Sequence, residues 1–173
     1  MRSTILCLAA GLSLIAGAAS AGEVFVGAYD HDVHIFAIGG FEHGAELSAG
    51  YRTSPLDGLS IIGRPSAYGF GAANTSGGLN YAAAGFSWRF GDQFYLRPGI
   101  GVGVHNGTVG KFQVGNELNL GSRVLAELEL GAGWQFSPKM SVEASLVHMS
   151  HARLAGKQNP GLDDVGLRFN YRF

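Results

Sequence analysis

The chain has 173 residues, 12 of them basic and 13 acidic, for a formal net charge of −1 at neutral pH. That balance gives no electrostatic case for nucleic acid binding, and a single cysteine, Cys7, excludes a disulfide framework or a cysteine metal site. No run beyond the N-terminal leader approaches the roughly 20 apolar residues of a spanning helix, which excludes a helical membrane protein.

In chain order, Met1-Arg2 gives a positive start, Ile5 to Ala18 an apolar core, and Ala19-Ser20-Ala21 a small-residue cleavage pattern. Residues 1–21 are therefore expected to be a cleaved export signal, leaving one domain over 22–173. Cys7 lies inside that leader, which argues against a lipoprotein anchor.

From there the sequence alternates. Eight strands are predicted at 23–30, 44–52, 59–73, 79–90, 93–105, 122–136, 139–151 and 163–173. In 123–136 the apolar set is Val124, Ala126, Leu128, Leu130, Ala132, Trp134 and Phe136, opposed by Arg123, Glu127, Glu129 and Gln135. In 163–173, Val165, Leu167, Phe169, Tyr171 and Phe173 oppose Asp164, Arg168, Asn170 and Arg172. Ten-residue alternation with charge on one face fits an antiparallel transmembrane β-barrel with a polar interior. A secreted barrel of lipocalin type, apolar inside, explains neither the grouped charges nor the aromatic terminus.

The connections agree with this. Gly91-Asp92 and Ser137-Pro138 are tight turns, while 31–43, 106–121 and 152–162 are longer, the asymmetry of outer-membrane barrels with short periplasmic turns. Trp88, Phe90, Phe94, Trp134 and Phe136 would form a periplasmic aromatic girdle. Glu46, Glu127, Glu129, Glu143, Arg97, Arg123, Arg168 and Arg172 are expected to form an interior network, since buried charges need partners. His31, Asp32 and His34, with His43, could chemically hold a metal, but in a surface loop no metal is expected. Gly99-Ile100-Gly101-Val102-Gly103 has no helix after it and is read as room inside a narrow barrel, not a dinucleotide site.

The chemistry concentrates at the end of the seventh strand. One face there reads Leu146, His148, Ser150, and residues i and i+2 share a face with Cα atoms about 6–7 Å apart. His148 can therefore take the proton of the Ser150 hydroxyl. Asp163 is in phase with Val165 and Leu167, which puts its carboxylate on the same lipid-facing side, where it can orient the imidazole. Asp164 is the rival acid, but its phase points inward.

His148-Met149-Ser150-His151-Ala152, followed by Asn159-Pro160-Gly161-Leu162-Asp163, resembles the lipid A 3-O-deacylase family (PagL type). That family's motif is histidine, any residue, serine, usually asparagine, alanine, then a loop closing on an Asn-containing turn and an acidic residue. The resemblance implies an eight-stranded outer-membrane barrel that hydrolyses the ester-linked 3-hydroxyacyl chain at the 3-position of lipid A. It further implies Ser150 as nucleophile, His148 as base and then acid, Asp163 as orienting acid, and Asn159 with the Gly161 N–H as oxyanion donors. Arg153 and Lys157 are candidates for phosphate contact. No cofactor is implied, and whether the barrel forms a homodimer is left open. Two departures stand out: His151 replaces the usual asparagine, and Asp163 stands where glutamate is often found. A structural or adhesive barrel, and an acyltransferase or phospholipase using the same serine, remain alternatives.

Overall fold

Eight alternating segments pair in sequence order and close on themselves. The computed structural model describes residues 21–110, 117–151 and 159–173; the leader, Arg153 and Lys157 lie outside them. The strands are β1 (Gly22–Asp30), β2 (Ala45–Thr53), β3 (Ser66–Asn74), β4 (Tyr81–Ser87), β5 (Phe94–His105), β6 (Val124–Gln135), β7 (Met140–Ser150) and β8 (Leu162–Arg172). Every neighbouring pair is antiparallel, and β1 pairs with β8, for instance Val26 opposite Phe169, to complete the ring. Closure leaves no strand edge with unpaired amides, the condition a β-structure must meet in hydrocarbon. Among the described residues no helix is long and apolar enough to cross a membrane.

The two faces of the wall differ as the alternation requires. Val26, Leu47, Ile100, Val102, Leu128, Leu130 and Leu167 are exposed on the outside. Near the chain termini an aromatic belt follows, with Trp134 against Phe136 at 5.7 Å and Tyr51 against Phe173 at 6.3 Å between ring centroids. Inside, Arg168 is fully buried and its Nη1 donates to Glu129 Oε2 at 2.8 Å. Arg52 joins Glu23 at 2.7 Å and Glu129 at 3.0 Å, so single carboxylates are shared by two guanidinium groups. The space is tight. A Cβ added at Gly99 would lie 2.5 Å from Glu129 Cγ, and one at Gly101 would be 2.5 Å from the Ala84 carbonyl oxygen. The Gly99–Gly103 run is thus room for opposing side chains, as its alternation suggests.

The sequence overestimates the third strand. Residues Asp57–Ile62 form a 3-10 helix, ended by Gly63 at φ 85° and Arg64 at φ 54°, and β3 begins only at Ser66. The apolar Leu59, Ile61 and Ile62 look like strand, but two left-handed residues followed by Pro65 break any extended path. Trp88 donates its indole N–H to the Ile62 carbonyl at 2.7 Å, which ties this helix to β4. The interior network also differs in membership from the expected one: Glu23 and Arg52 join it, while three expected members sit outside it or at its edge. Arg123 lies before β6, exposed, and donates to the carbonyls of His105 and Gly107 at 2.9 and 2.7 Å. Arg172 is half-exposed at the barrel mouth, 3.7 Å from Glu23. Glu46 belongs to a separate cluster around His31.

Candidate active site

β7 and β8 set the geometry. His148 and Asp163 are direct cross-strand partners, and Leu128 of β6 stands opposite His148 on the other side. Directly opposed residues bring their Cβ atoms within about 4.5–5.5 Å. An aspartate suffices at that spacing: His148 Nδ1 lies 2.6 Å from Asp163 Oδ1. Two residues on, along the same face of β7, Ser150 Oγ lies 3.1 Å from His148 Nε2. A carboxylate, an imidazole and a hydroxyl are thus joined in line on the outer face of the wall, at the end opposite the chain termini. The neighbour of Ser150 on β6 is Ala126, whose methyl leaves the hydroxyl uncovered on that flank.

The carboxylate is held from above. Asp163 is fully buried although it faces outward, because the loop between β1 and β2 folds over it. Its Oδ2 accepts backbone N–H bonds from Ile35 at 3.1 Å, Phe36 at 2.5 Å and Ala37 at 2.7 Å, while its own carbonyl accepts from Val33. Converging amides of this kind stabilise an anion, each charge-assisted bond contributing about 1.5–3 kcal/mol. Oδ1 is left to His148. The ring of Phe36 meets the imidazole edge-on at 5.9 Å.

Asn159 and Gly161 frame the other side. The Asn159 side-chain oxygen accepts from the His151 backbone N–H at 3.1 Å, which leaves the amide NH₂ as the donating end. Gly161 has φ +78°, and a Cβ there would lie 3.1 Å from Ala37 Cβ and 3.4 Å from His148 Cε1. The Ile38 N–H donates to the Pro160 carbonyl at 2.9 Å, joining this turn to the β1–β2 loop. His151 is buried, not presented beside the hydroxyl.

Asp164 faces the interior. Its carboxylate sits 3.0 Å from His31 Nδ1 and accepts the Tyr81 hydroxyl at 2.9 Å. His31 also meets Glu46 at 3.1 Å and Glu42 at 3.4 Å. Burial opposes charge on His31, but bonds to Asp164, Glu42 and Glu46 outweigh it and push its pKa up to about 12. His31, Glu46 and Asp164 bring three potential ligand atoms within 4.8 Å of one another, and in this structure the three side chains pair with one another as a buried cluster. His34 and His43 are exposed and do not join it, so the loop histidines share no common site.

What sequence reasoning missed is the β1–β2 loop. Its signal was the apolar run Ile35-Phe36-Ala37-Ile38 inside a segment read only as a surface loop; Ile35, Phe36 and Ile38 are exposed beside the site.

The family model described as Lipid A 3-O-deacylase (PagL) matches residues 39–172, from the β1–β2 loop through β8. The chain belongs to the lipid A 3-O-deacylase family. Within that family, lipid A deacylase PagL of Bordetella bronchiseptica is 30% identical over 89 residues, 51% of this chain. That stretch spans 46% of the relative, about half its length. The crystal structure of the outer membrane enzyme PagL shares the fold, with a TM-score of 0.62 at 23% identity over 86% of this chain and 98% of that one.

Proposed function

We propose that the protein is a serine esterase of the outer membrane that removes the ester-linked 3-hydroxyacyl chain at the 3-position of lipid A. The observation that carries the reading is the in-line Asp163–His148–Ser150 arrangement, with contacts of 2.6 and 3.1 Å, on the face turned to lipid. Polar groups are costly on that face, and three of them aligned in hydrogen-bonding order point to chemistry on a membrane lipid.

In this reading Ser150 Oγ attacks the ester carbonyl while His148 Nε2 takes its proton. Asp163 holds the Nδ1–H and balances the imidazolium. Charge on the carbonyl oxygen is met by the Asn159 amide and the Gly161 N–H. The tetrahedral intermediate collapses by breaking the bond to the sugar oxygen, which leaves with the proton from His148. Water, deprotonated by the same imidazole, then releases the 3-hydroxy fatty acid and regenerates Ser150. Arg153 and Lys157 fit a role at the lipid A phosphates.

Mass spectrometry of lipid A from cells expressing the protein tests this. Loss of one 3-hydroxyacyl chain, absent with Ser150→Ala, is expected. Gain of a chain would make the protein an acyltransferase, and unchanged lipid A beside a folded barrel would make it a structural one.

A further inference from the structure

Asp163 and Asp164 are consecutive on β8, so their carboxylates emerge on opposite sides of one strand. Both bind the same loop. On the inside, Asp164 Oδ1 accepts the backbone N–H of Asp32 at 3.1 Å and pairs with His31 at 3.0 Å. On the outside, Asp163 accepts the amides of Ile35, Phe36 and Ala37. Between these anchors Asp32 takes φ 56°, a left-handed backbone that costs a non-glycine residue about 1 kcal/mol. Something must hold it there. Asp32 Oδ2 receives the N–H groups of Phe41 and Glu42 at 2.7 and 2.9 Å, closing the far side of the turn.

We infer that Asp164, together with His31, is a positioning residue for the esterase reaction. It pins the start of the β1–β2 loop from inside the barrel, and the pinned loop presents the amides that fix the Asp163 carboxylate toward His148. The inference rests on the reading of Ser150, His148 and Asp163 as the catalytic groups. Asp164 never meets substrate. It acts through Asp32 and the loop, across the thickness of the wall.

The experiment is steady-state kinetics of full-length, refolded protein on purified lipid A in mixed detergent micelles, with barrel folding checked by heat-modifiable gel migration. Asp164→Ala is expected to lower kcat about 10- to 100-fold with KM unchanged, the size of effect that a sub-ångström to 1 Å misplacement produces. Asp164→Asn keeps an acceptor for the Asp32 N–H and is expected to recover most of that loss. A loss caused by general loosening of the barrel would instead track folding yield and show no such recovery. His31→Ala, which leaves β8 untouched, provides the second arm should Asp164→Ala fail to fold; it is expected to lower kcat in the same manner. A folded Asp164→Ala or His31→Ala protein with wild-type kcat overturns the inference, as does Asp164→Asn no better than Asp164→Ala. Activity surviving in Ser150→Ala would instead sink the catalytic reading beneath it, an outcome the other variants cannot mimic.

Discussion

Phe36 stands edge-on to the His148 imidazole at 5.9 Å while its own backbone N–H donates to the carboxylate that His148 contacts. One loop residue thus touches two members of the Asp163–His148–Ser150 line by different atoms. Phe36 is 72% exposed, so trimming its ring removes little buried area. Phe36→Ala should keep the amide bond, change stability by less than about 1 kcal/mol, and lower turnover several-fold by freeing the imidazole. Thermal melts beside kinetics check this; a loss of stability as large as the loss of rate would assign the ring a structural role only.

The line itself makes a ranked prediction. Ser150→Ala and His148→Ala should each remove at least about four orders of magnitude in kcat. Asp163→Ala should cost about three to four orders, and Asn159→Ala about two to three. Because Asp164 acts at one remove, Asp164→Ala should cost far less than Asp163→Ala. The reverse order, measured as release of 3-hydroxy fatty acid, would move the acid to Asp164.

Gly161 carries a backbone and a spatial demand together. At φ +78°, an alanine costs about 1–2 kcal/mol, and its methyl would press on Ala37, 3.1 Å away. Ala37 is one of the residues donating to Asp163. Gly161→Ala should therefore lower both the melting temperature and the rate. A variant that melts like wild type and turns over like wild type would show that the turn relaxes freely.

His31 predicts a pH signature of stability. Its pKa rises from 6.5 to about 12 on folding, so the folded state binds the proton more tightly than the unfolded chain. The stabilisation is complete below about pH 6.5 and is lost as pH rises toward 12. His31→Gln should accordingly destabilise most below pH 6.5, with the gap to wild type closing in alkali. Urea unfolding across pH 6 to 10 measures it, and a gap that widens with pH would exclude a charged His31.

Arg168 is the centre of the interior network, within 2.8 Å of Glu129 and 3.4 Å of Glu143. Arg168→Met leaves those buried carboxylates short of a partner and should cost about 3–5 kcal/mol. Replacing Arg168 and Glu129 together should cost less than either change alone would suggest. Additive losses in equilibrium unfolding would mean the pair is not coupled.

Much of the barrel was legible because alternation has one meaning when a strand has two unlike neighbours, lipid and lumen. β5 to β8 follow the sequence reading to within two residues at each end. The 57–62 segment misled because apolar residues in a short run carry no period that separates strand from a 3-10 turn; only the glycine and proline after them did. At the site, His148, Ser150 and Asp163 could be placed on one face by counting. The amides of Ile35, Phe36 and Ala37 could not. A backbone donor leaves no mark on residue type, and its arrival at Asp163 depends on a contact 126 to 128 positions away.

The packed lumen has a consequence at the scale of the cell envelope. Phe25, Arg168, Glu127, Glu143 and Met149 are fully buried inside the ring, so this cylinder has no continuous aqueous path along its axis among the described residues. Conductance across a planar bilayer should stay at background. A membrane crowded with such barrels would gain protein without gaining pores, so its permeability to small solutes would not rise with their number.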